Sequence, residues 1–143
     1  MKLELSGHFR GNGYIELNRT VLSNSSTQLN TGVAILFSTT HQDGLLLWYG
    51  QQRGVHYDGQ DYVSLAVVDG YLEFSFRLDG EEEIIKNLDK RVDDGNRHVA
   101  IIKRNGNQGS LEVNHFSQYG ESRPTSKSEM IIPGHLFIGK LLV

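Results

Sequence analysis

Residues 61–78 read DYVSLAVVDGYLEFSFRL, and they decide the fold. Asp69-Gly70 is a two-residue turn that tolerates positive φ at both positions, which matches the twist of paired strands. Folding about it pairs Val68 with Tyr71, Val67 with Leu72, Leu65 with Phe74, Val63 with Phe76 and Asp61 with Leu78. Val63, Leu65, Val67, Leu72, Phe74 and Phe76 then share one face, while Tyr62, Ser64, Ala66, Glu73, Ser75 and Arg77 share the other. A one-residue slip would mix the two faces, so the register is specified. Upstream, Leu45-Leu46-Leu47-Trp48 is a denser apolar run, expected of a strand buried on both sides; Trp48 is read as core.

Outward from the hairpin, short apolar runs alternate with turn signals. Tyr14–Leu17 reads as a short strand, Asn18–Thr31 as a Ser/Thr/Asn-rich loop, and Gly32–Thr39 as a strand. The segment GQQRGVHYDGQ (50–60) is too polar for core. Asp79-Gly80 is a second turn, and Glu81, Glu82 and Glu83 read as a solvated rim before Ile84-Ile85. His98–Arg104 is a strand with Ser110–Phe116 as its hairpin partner. Gln118–Glu129 contains Pro124 and reads as a long surface loop. Met130–Ile132 and Leu136–Ile138 give the last strands. The 3.6-residue period of a helix persists nowhere. Eight to eleven strands at roughly ten-residue spacing imply an all-β sandwich or barrel.

The 143 residues suit one domain, and their 16 glycines suit many turns. The net charge of −3 provides no bulk attraction for nucleic acid or an anionic membrane, and no apolar run approaches the length of a membrane span. Met1 leads directly into a polar–apolar alternation, without a signal-peptide pattern. The chain has no cysteine, which excludes a disulfide scaffold, a thiol nucleophile and a thiolate metal site. The six histidines show no helical metal-ligand pair, and no nucleophile elbow or phosphate loop appears. A sandwich-fold glycosidase needs two carboxylates across one cleft; the acidic run Glu81–Glu83 sends neighbours to opposite faces and does not supply them. His98 reads as a half-buried, hydrogen-bonded histidine of the sandwich.

One constellation has a ligand-binding chemistry. The register sets Asp61 opposite Leu78 at the open end of the hairpin, so a carboxylate and a backbone carbonyl share one pocket, with Asp58 and Asp79 close in sequence. Hard oxygens of this mixture, completed by water, suit calcium. Asn18-Arg19-Thr20 and Asn24-Ser25-Ser26 match the N-glycosylation acceptor pattern at Asn18 and Asn24.

At these residues the chain resembles a laminin G-like (LG/LNS) domain. The resemblance runs through FRGNGYIEL (9–17), VAILFSTTHQDGLLLWYG (33–50), DYVSLAVVDGYLEFSFRLDG (61–80), DDGNRHVAIIKRNGNQGSLEVN (93–114) and LFIGK (136–140). The wording is most similar to the LG modules of perlecan and agrin. The resemblance implies a two-sheet antiparallel jelly-roll sandwich of concanavalin-like architecture. It implies a secreted, extracellular setting in a basement membrane or at a cell surface, among neighbouring domains of a larger chain. It also implies ligand capture at a loop rim rather than catalysis.

In the family that rim often carries calcium. Asp61 matches the aspartate ligand and Leu78 the carbonyl ligand; the remaining ligand positions fall at Glu129 and Ile131, and Ile131 offers no side-chain oxygen. Two further departures are Arg97-His98 where the family has Trp-His, and an ending at Lys140–Val143 where the family has a closing strand. A missing closing strand would leave a sheet edge to be paired by Leu3–Leu5 or Leu141–Val143, or by self-association. The expected function is a non-catalytic module that recognises acidic or sulfated glycans, such as those of dystroglycan or heparan sulfate, or receptor ectodomains. Calcium assists at the rim, and Arg53, Arg97, Lys103 and Arg104 are the candidate ligand-facing cations. The alternative is a structural spacer with a degenerate metal site.

Overall fold

The computed structural model describes residues 14–17, 27–28, 30–50, 61–124, 130–131 and 135–139. They form twelve strands: β1 (Tyr14–Leu17), β2 (Thr27–Gln28), β3 (Asn30–Phe37), β4 (Gly44–Gly50), β5 (Tyr62–Val68), β6 (Tyr71–Leu78), β7 (Glu81–Asn87), β8 (His98–Asn105), β9 (Gln108–Val113), β10 (Phe116–Glu121), β11 (Met130–Ile131) and β12 (His135–Gly139). A six-stranded sheet runs β1-β12-β4-β5-β6-β7, and a four-stranded sheet runs β10-β9-β8-β3. Strands β11 and β2 form a separate two-stranded ribbon. Neighbours within each sheet are antiparallel, and no helix occurs among the described residues.

The hairpin at 62–77 has the register that its pattern requires: Val68 pairs with Tyr71, Leu65 with Phe74 and Val63 with Phe76. Asp69 and Gly70 both have positive φ, at 50° and 84°, as a type I′ turn demands. The apolar face of this hairpin is fully buried and meets Ala100, Ile102, Leu111 and Val113 of the four-stranded sheet. In β4, Leu47 and Tyr49 join that core, while Trp48 is buried on the opposite face. There Trp48 stacks on Tyr62 with centroids 4.8 Å apart, beside Phe137.

The two sheets are in close contact where β9 and β10 carry paired glycines. Gly109 lies opposite Gly120. A Cβ on Gly109 would sit 2.7 Å from Phe76 Cε1, and one on Gly120 would sit 2.7 Å from Ile85 Cγ1. The missing side chains form a notch that receives the Phe76 and Ile85 side chains of β6 and β7.

One end of the sandwich is tied down by hydrogen bonds. The amide of Gly70 donates to the Gln42 carbonyl (2.8 Å), Asp69 N–H to Asp43 Oδ1 (3.0 Å), and Val92 N–H to the Gly70 carbonyl (2.8 Å). Arg91 grips Asp93 through two bonds of 3.1 and 2.9 Å and lies over the Tyr71 ring. The same end holds His98, which is 2% exposed. Its Nε2 is 2.7 Å from Asp94 Oδ1, and its Nδ1 is 2.8 Å from Asn114 Nδ2. The histidine expected as hydrogen-bonded core is satisfied on both ring nitrogens.

Three segments differ from the expectations. The loop expected over Asn18–Thr31 contains β2 at Thr27–Gln28, and the strand expected at Gly32 begins inside it at Asn30. The strand expected to run through Phe116 stops at Val113; Asn114 and His115 form a turn with φ of 48° and 75°, and Phe116 opens β10. The first four residues of the loop expected at 118–129 belong to β10. That strand is an edge strand with largely exposed residues, so it lacks the apolar alternation that marks a buried strand.

Candidate functional site

The end of the sandwich opposite the clamped turn carries the constellation anticipated from the register. The β5–β6 ladder continues to Tyr62 opposite Arg77, so Asp61 comes to the end of β6 beside Leu78. The β6–β7 connection is a second Asp-Gly turn, with φ of 49° at Asp79 and 87° at Gly80. Both turn residues are exposed. The Asp79 amide donates to Asp61 Oδ1 at 2.9 Å. This bond holds the carboxylate against the turn and fixes which way it points. The Leu78 side chain is hydrocarbon and fully buried; its backbone carbonyl is the group that can act as a ligand. Across β6, the Tyr62 hydroxyl of β5 donates to the Glu82 carboxylate of β7, which engages one member of the acidic run.

The interior beneath this rim holds a cation. In β8 the residues His98, Ala100, Ile102 and Arg104 alternate inward, and Arg104 is only 1% exposed. Its Nη1 donates to the Gly106 carbonyl at 2.8 Å. Burial pushes its pKa down to about 10, while the nearby Asp61 carboxylate acts in the opposite direction. Arg104 therefore does not face solvent as a ligand-seeking cation; it is an internal countercharge to the rim. The alternation along β8 carries this signal, but an arginine at a strand end reads as surface until the facing sheet is in place.

The other candidate cations separate. Arg97 is exposed but precedes β8 at the end where His98 and Asp94 lie, about 20 Å along the strand from Lys103 at some 3.3 Å per residue. Arg97 is thus not part of the Asp61 rim. Lys103 is exposed on the outer face of the four-stranded sheet. Arg53, Asp58, Glu129, Asn18 and Asn24 lie outside the described residues, as do the segments 3–5 and 141–143 considered for edge pairing. Ile131 pairs with Thr27 in the β11–β2 ribbon. Among the described residues, no group of three His, Asp or Glu side chains converges as a metal site. The hard oxygens of Asp61 and Leu78 fit calcium chemically, and the Arg104 charge beneath them works against it.

A model of the Laminin G domain family matches residues 37–143. The chain belongs to the laminin G domain family. It is 31% identical over 138 residues, 96% of its length, to the basement membrane proteoglycan of Caenorhabditis elegans, of which it covers 4%. It is 30% identical over 125 residues, 87% of its length, to the basement membrane-specific heparan sulfate proteoglycan core protein of Mus musculus, of which it covers 3%. Among solved structures, domains LG4-5 of the mouse laminin α1 chain superpose with a TM-score of 0.72 at 16% identity, over 95% of this chain and 36% of that one. The laminin G domain thus spans less than a twentieth of the length of these proteoglycans. The fold is the two-sheet laminin G jelly roll, the setting is extracellular, and the family is one of non-catalytic binding modules carried in larger chains.

Proposed function

We propose that this laminin G domain recognises acidic or sulfated glycans, such as those of dystroglycan or heparan sulfate, or receptor ectodomains, at the rim around Asp61 and the Asp79-Gly80 turn. The observation that carries the reading is the Asp61 carboxylate held at 2.9 Å by the Asp79 amide on an exposed turn. An acidic rim attracts an anionic ligand only through a shared cation. Asp61 and the Leu78 carbonyl would hold calcium there, together with an oxygen of Glu129 and, since Ile131 has no side-chain oxygen, at most the Ile131 carbonyl. When bound, calcium supplies the positive charge that allows two anions to meet. Sites of extracellular modules hold calcium at about 10⁻⁴–10⁻³ M, and the buried Arg104 charge favours the weak end of that range.

Catalysis is not part of this reading. His98 is buried with both ring nitrogens engaged, so its ring cannot reach a substrate. The Glu82 carboxylate is bonded to the Tyr62 hydroxyl.

The test is a calorimetric calcium titration of the native chain and of Asp61→Asn, with melting curves in calcium and in chelator. The asparagine keeps an oxygen to accept the Asp79 amide, so the fold is not the variable. Binding by the native chain raises stability by about 2.7 kcal/mol at a hundredfold excess over the dissociation constant, and Asp61→Asn abolishes it. The absence of heat and of a melting shift at calcium well above about 10⁻³ M would refute the metal-assisted mechanism. It would favour a second reading, a structural spacer, in which Arg104 supplies internally the positive charge that calcium supplies in other members.

A further inference from the structure

Strand β3 carries a row of backbone groups with no partner among the described residues. It lies at the edge of the four-stranded sheet, with β8 on one side only. Val99 of β8 bonds to Asn114 through both its N–H and its carbonyl, so its backbone groups face β9. Such groups alternate along an antiparallel strand. Ala100 and Ile102 therefore face β3, where Ile35 and Val33 lie opposite them. Gly32, Ala34 and Leu36 then turn their N–H and carbonyl groups to the open edge.

This edge lacks what protects the other edges of the two sheets. Strand β1 has only four residues, and β7 carries Glu81, Glu82, Glu83 and Lys86. Strand β10 is drawn onto the facing sheet, where Asn87 donates to the Phe116 carbonyl and Gln118 to the Asp89 carboxylate. Strand β3 reads NTGVAILF, eight residues without a charge or a proline, and it pairs with β8 without a bulge. A long, uncharged, regular edge is a template for another strand.

The strand is also complementary to itself. In antiparallel pairing about a two-fold axis at Ala34, Ala34 meets its own copy, Gly32 meets Leu36, and Val33 meets Ile35. Both members of each pair lie on one face, so the ladder satisfies the outward groups and keeps the faces in register. On the outer face, Leu36 is 56% exposed and comes beside Gly32, where a Cβ would meet nothing within 4 Å. Behind them, Val99 and Ile101 pair with Leu36 and Ala34, so an apolar stripe runs across the axis. On the inner face, Val33 and Ile35 are only partly buried and would cover one another. An uncharged strand has nothing to steer a charged peptide, whereas its own sequence matches it position by position.

We propose that two copies of this chain associate through β3, antiparallel about Ala34, joining their four-stranded sheets into one. Eight residues a side is well below the roughly 20–30 of a standard interface, so the dimer is weak and concentration-dependent. The axis involves neither Asp61 nor a metal, so the inference stands apart from the rim reading.

The test is sedimentation velocity over a concentration series in chelator, with amide exchange followed by NMR. A monomer–dimer equilibrium is expected, with protection of the Gly32, Ala34 and Leu36 amides that grows with concentration. Ala34→Lys sets two like charges on the axis and should abolish the dimer, and Ala34→Glu should do the same. Ala34 is exposed and its backbone groups point away from β8, so both variants keep the fold. Mixing the two variants restores association, because opposite charges then meet on the axis. Asp61→Asn leaves the dimer unchanged, which separates it from the fate of the rim. A monomer at every concentration, protection of these amides that does not depend on concentration, a dimer that survives Ala34→Lys, or a mixture that stays monomeric would overturn the proposal.

Discussion

Replacing Gly109 by alanine adds a single methyl group, and the structure decides the sign of its effect. The new Cβ would lie 2.7 Å from Phe76 Cε1, 3.0 Å from Ile85 Cδ1 and 3.2 Å from Phe74 Cε2. Carbon atoms in contact rest at about 3.5–4.0 Å, so the neighbours must retreat by up to about 1 Å. Phe74 and Phe76 are fully buried and Ile85 is 4% exposed, so none can swing into solvent. Overpacking of this kind costs about 1–3 kcal/mol. Against it stands the gain from replacing glycine in a strand, about 0.5–1 kcal/mol. The net expectation is a loss of about 1–2 kcal/mol, read as a lower urea midpoint with Trp48, the chain's one tryptophan, as the fluorophore. Gly44→Ala is the control. A Cβ there meets nothing within 4 Å, so the strand gain stands alone and stability rises. The double variant Gly109→Ala, Phe76→Leu removes the ring edge that clashes, so the two changes should be less than additive. A Gly109→Ala chain as stable as the native one, or one that shifts in the same direction as Gly44→Ala, would refute the notch as the determinant of sheet approach.

Two further expectations concern the clamped end. The Asp94 carboxyl is held down to about 2 from its ordinary 3.8, first by its hydrogen bond with His98 and then by the Asn96 amide. A depressed folded-state pKa stabilises the fold above the unfolded value and loses that contribution as the pH falls. Acid unfolding curves of the native chain should therefore show a loss between about pH 4 and pH 2 that is smaller in Asp94→Asn; identical curves would refute it. Asn114 donates from Nδ2 to His98 Nδ1 and accepts the Val99 amide at Oδ1, with φ at 48°. Asn114→Ala leaves the buried His98 ring nitrogen unsatisfied while the exposed Val99 amide turns to water, a cost of about 1–3 kcal/mol, and adds left-handed backbone strain. Asn114→Gly removes the same bonds without that strain, so in denaturant melts it should be the milder of the two.

The central hairpin was legible because three independent signals agree. The Asp-Gly turn, the period-2 alternation and the apolar face all select one register, and the observed pairing is that register. The Asp61–Asp79 proximity follows from it by extension. What alternation could not reveal was anything whose signal is carried by another strand. β10 is an exposed edge strand, so nothing in FSQYGE marks it as paired; its partner β9 does. The same omission hid the placement of Tyr119, which lies on the outer face of the sheet opposite Ser110. Arg97 and Arg104 looked equivalent in sequence, yet they lie at opposite ends of β8. One is exposed and the other buried, because only the facing sheet determines which strand end is covered.

The two ends of the sandwich are built on the same local motif and put to different use. Both carry an Asp-Gly turn with nearly the same positive φ values. At Asp69-Gly70 the surrounding loops engage the backbone of the turn: Gln42, Asp43 and Val92 bond to it, and the Arg91–Asp93 pair packs so closely that a Cβ on Gly70 would strike it. At Asp79-Gly80 the turn is exposed, and Asp61 orients its carboxylate there. The Asp69-Gly70 turn, tied to its own loops, closes one end of the fold, whereas the Asp79-Gly80 turn is exposed with the Asp61 carboxylate held against it. That asymmetry, more than the sequence of either turn, is what favours the Asp61 end for the proposed ligand binding. The Arg104 charge beneath it then determines how much of the rim's negative potential reaches solvent. Replacing Arg104 with methionine should raise calcium affinity if the rim is a metal site, at some loss of stability from the orphaned Gly106 carbonyl.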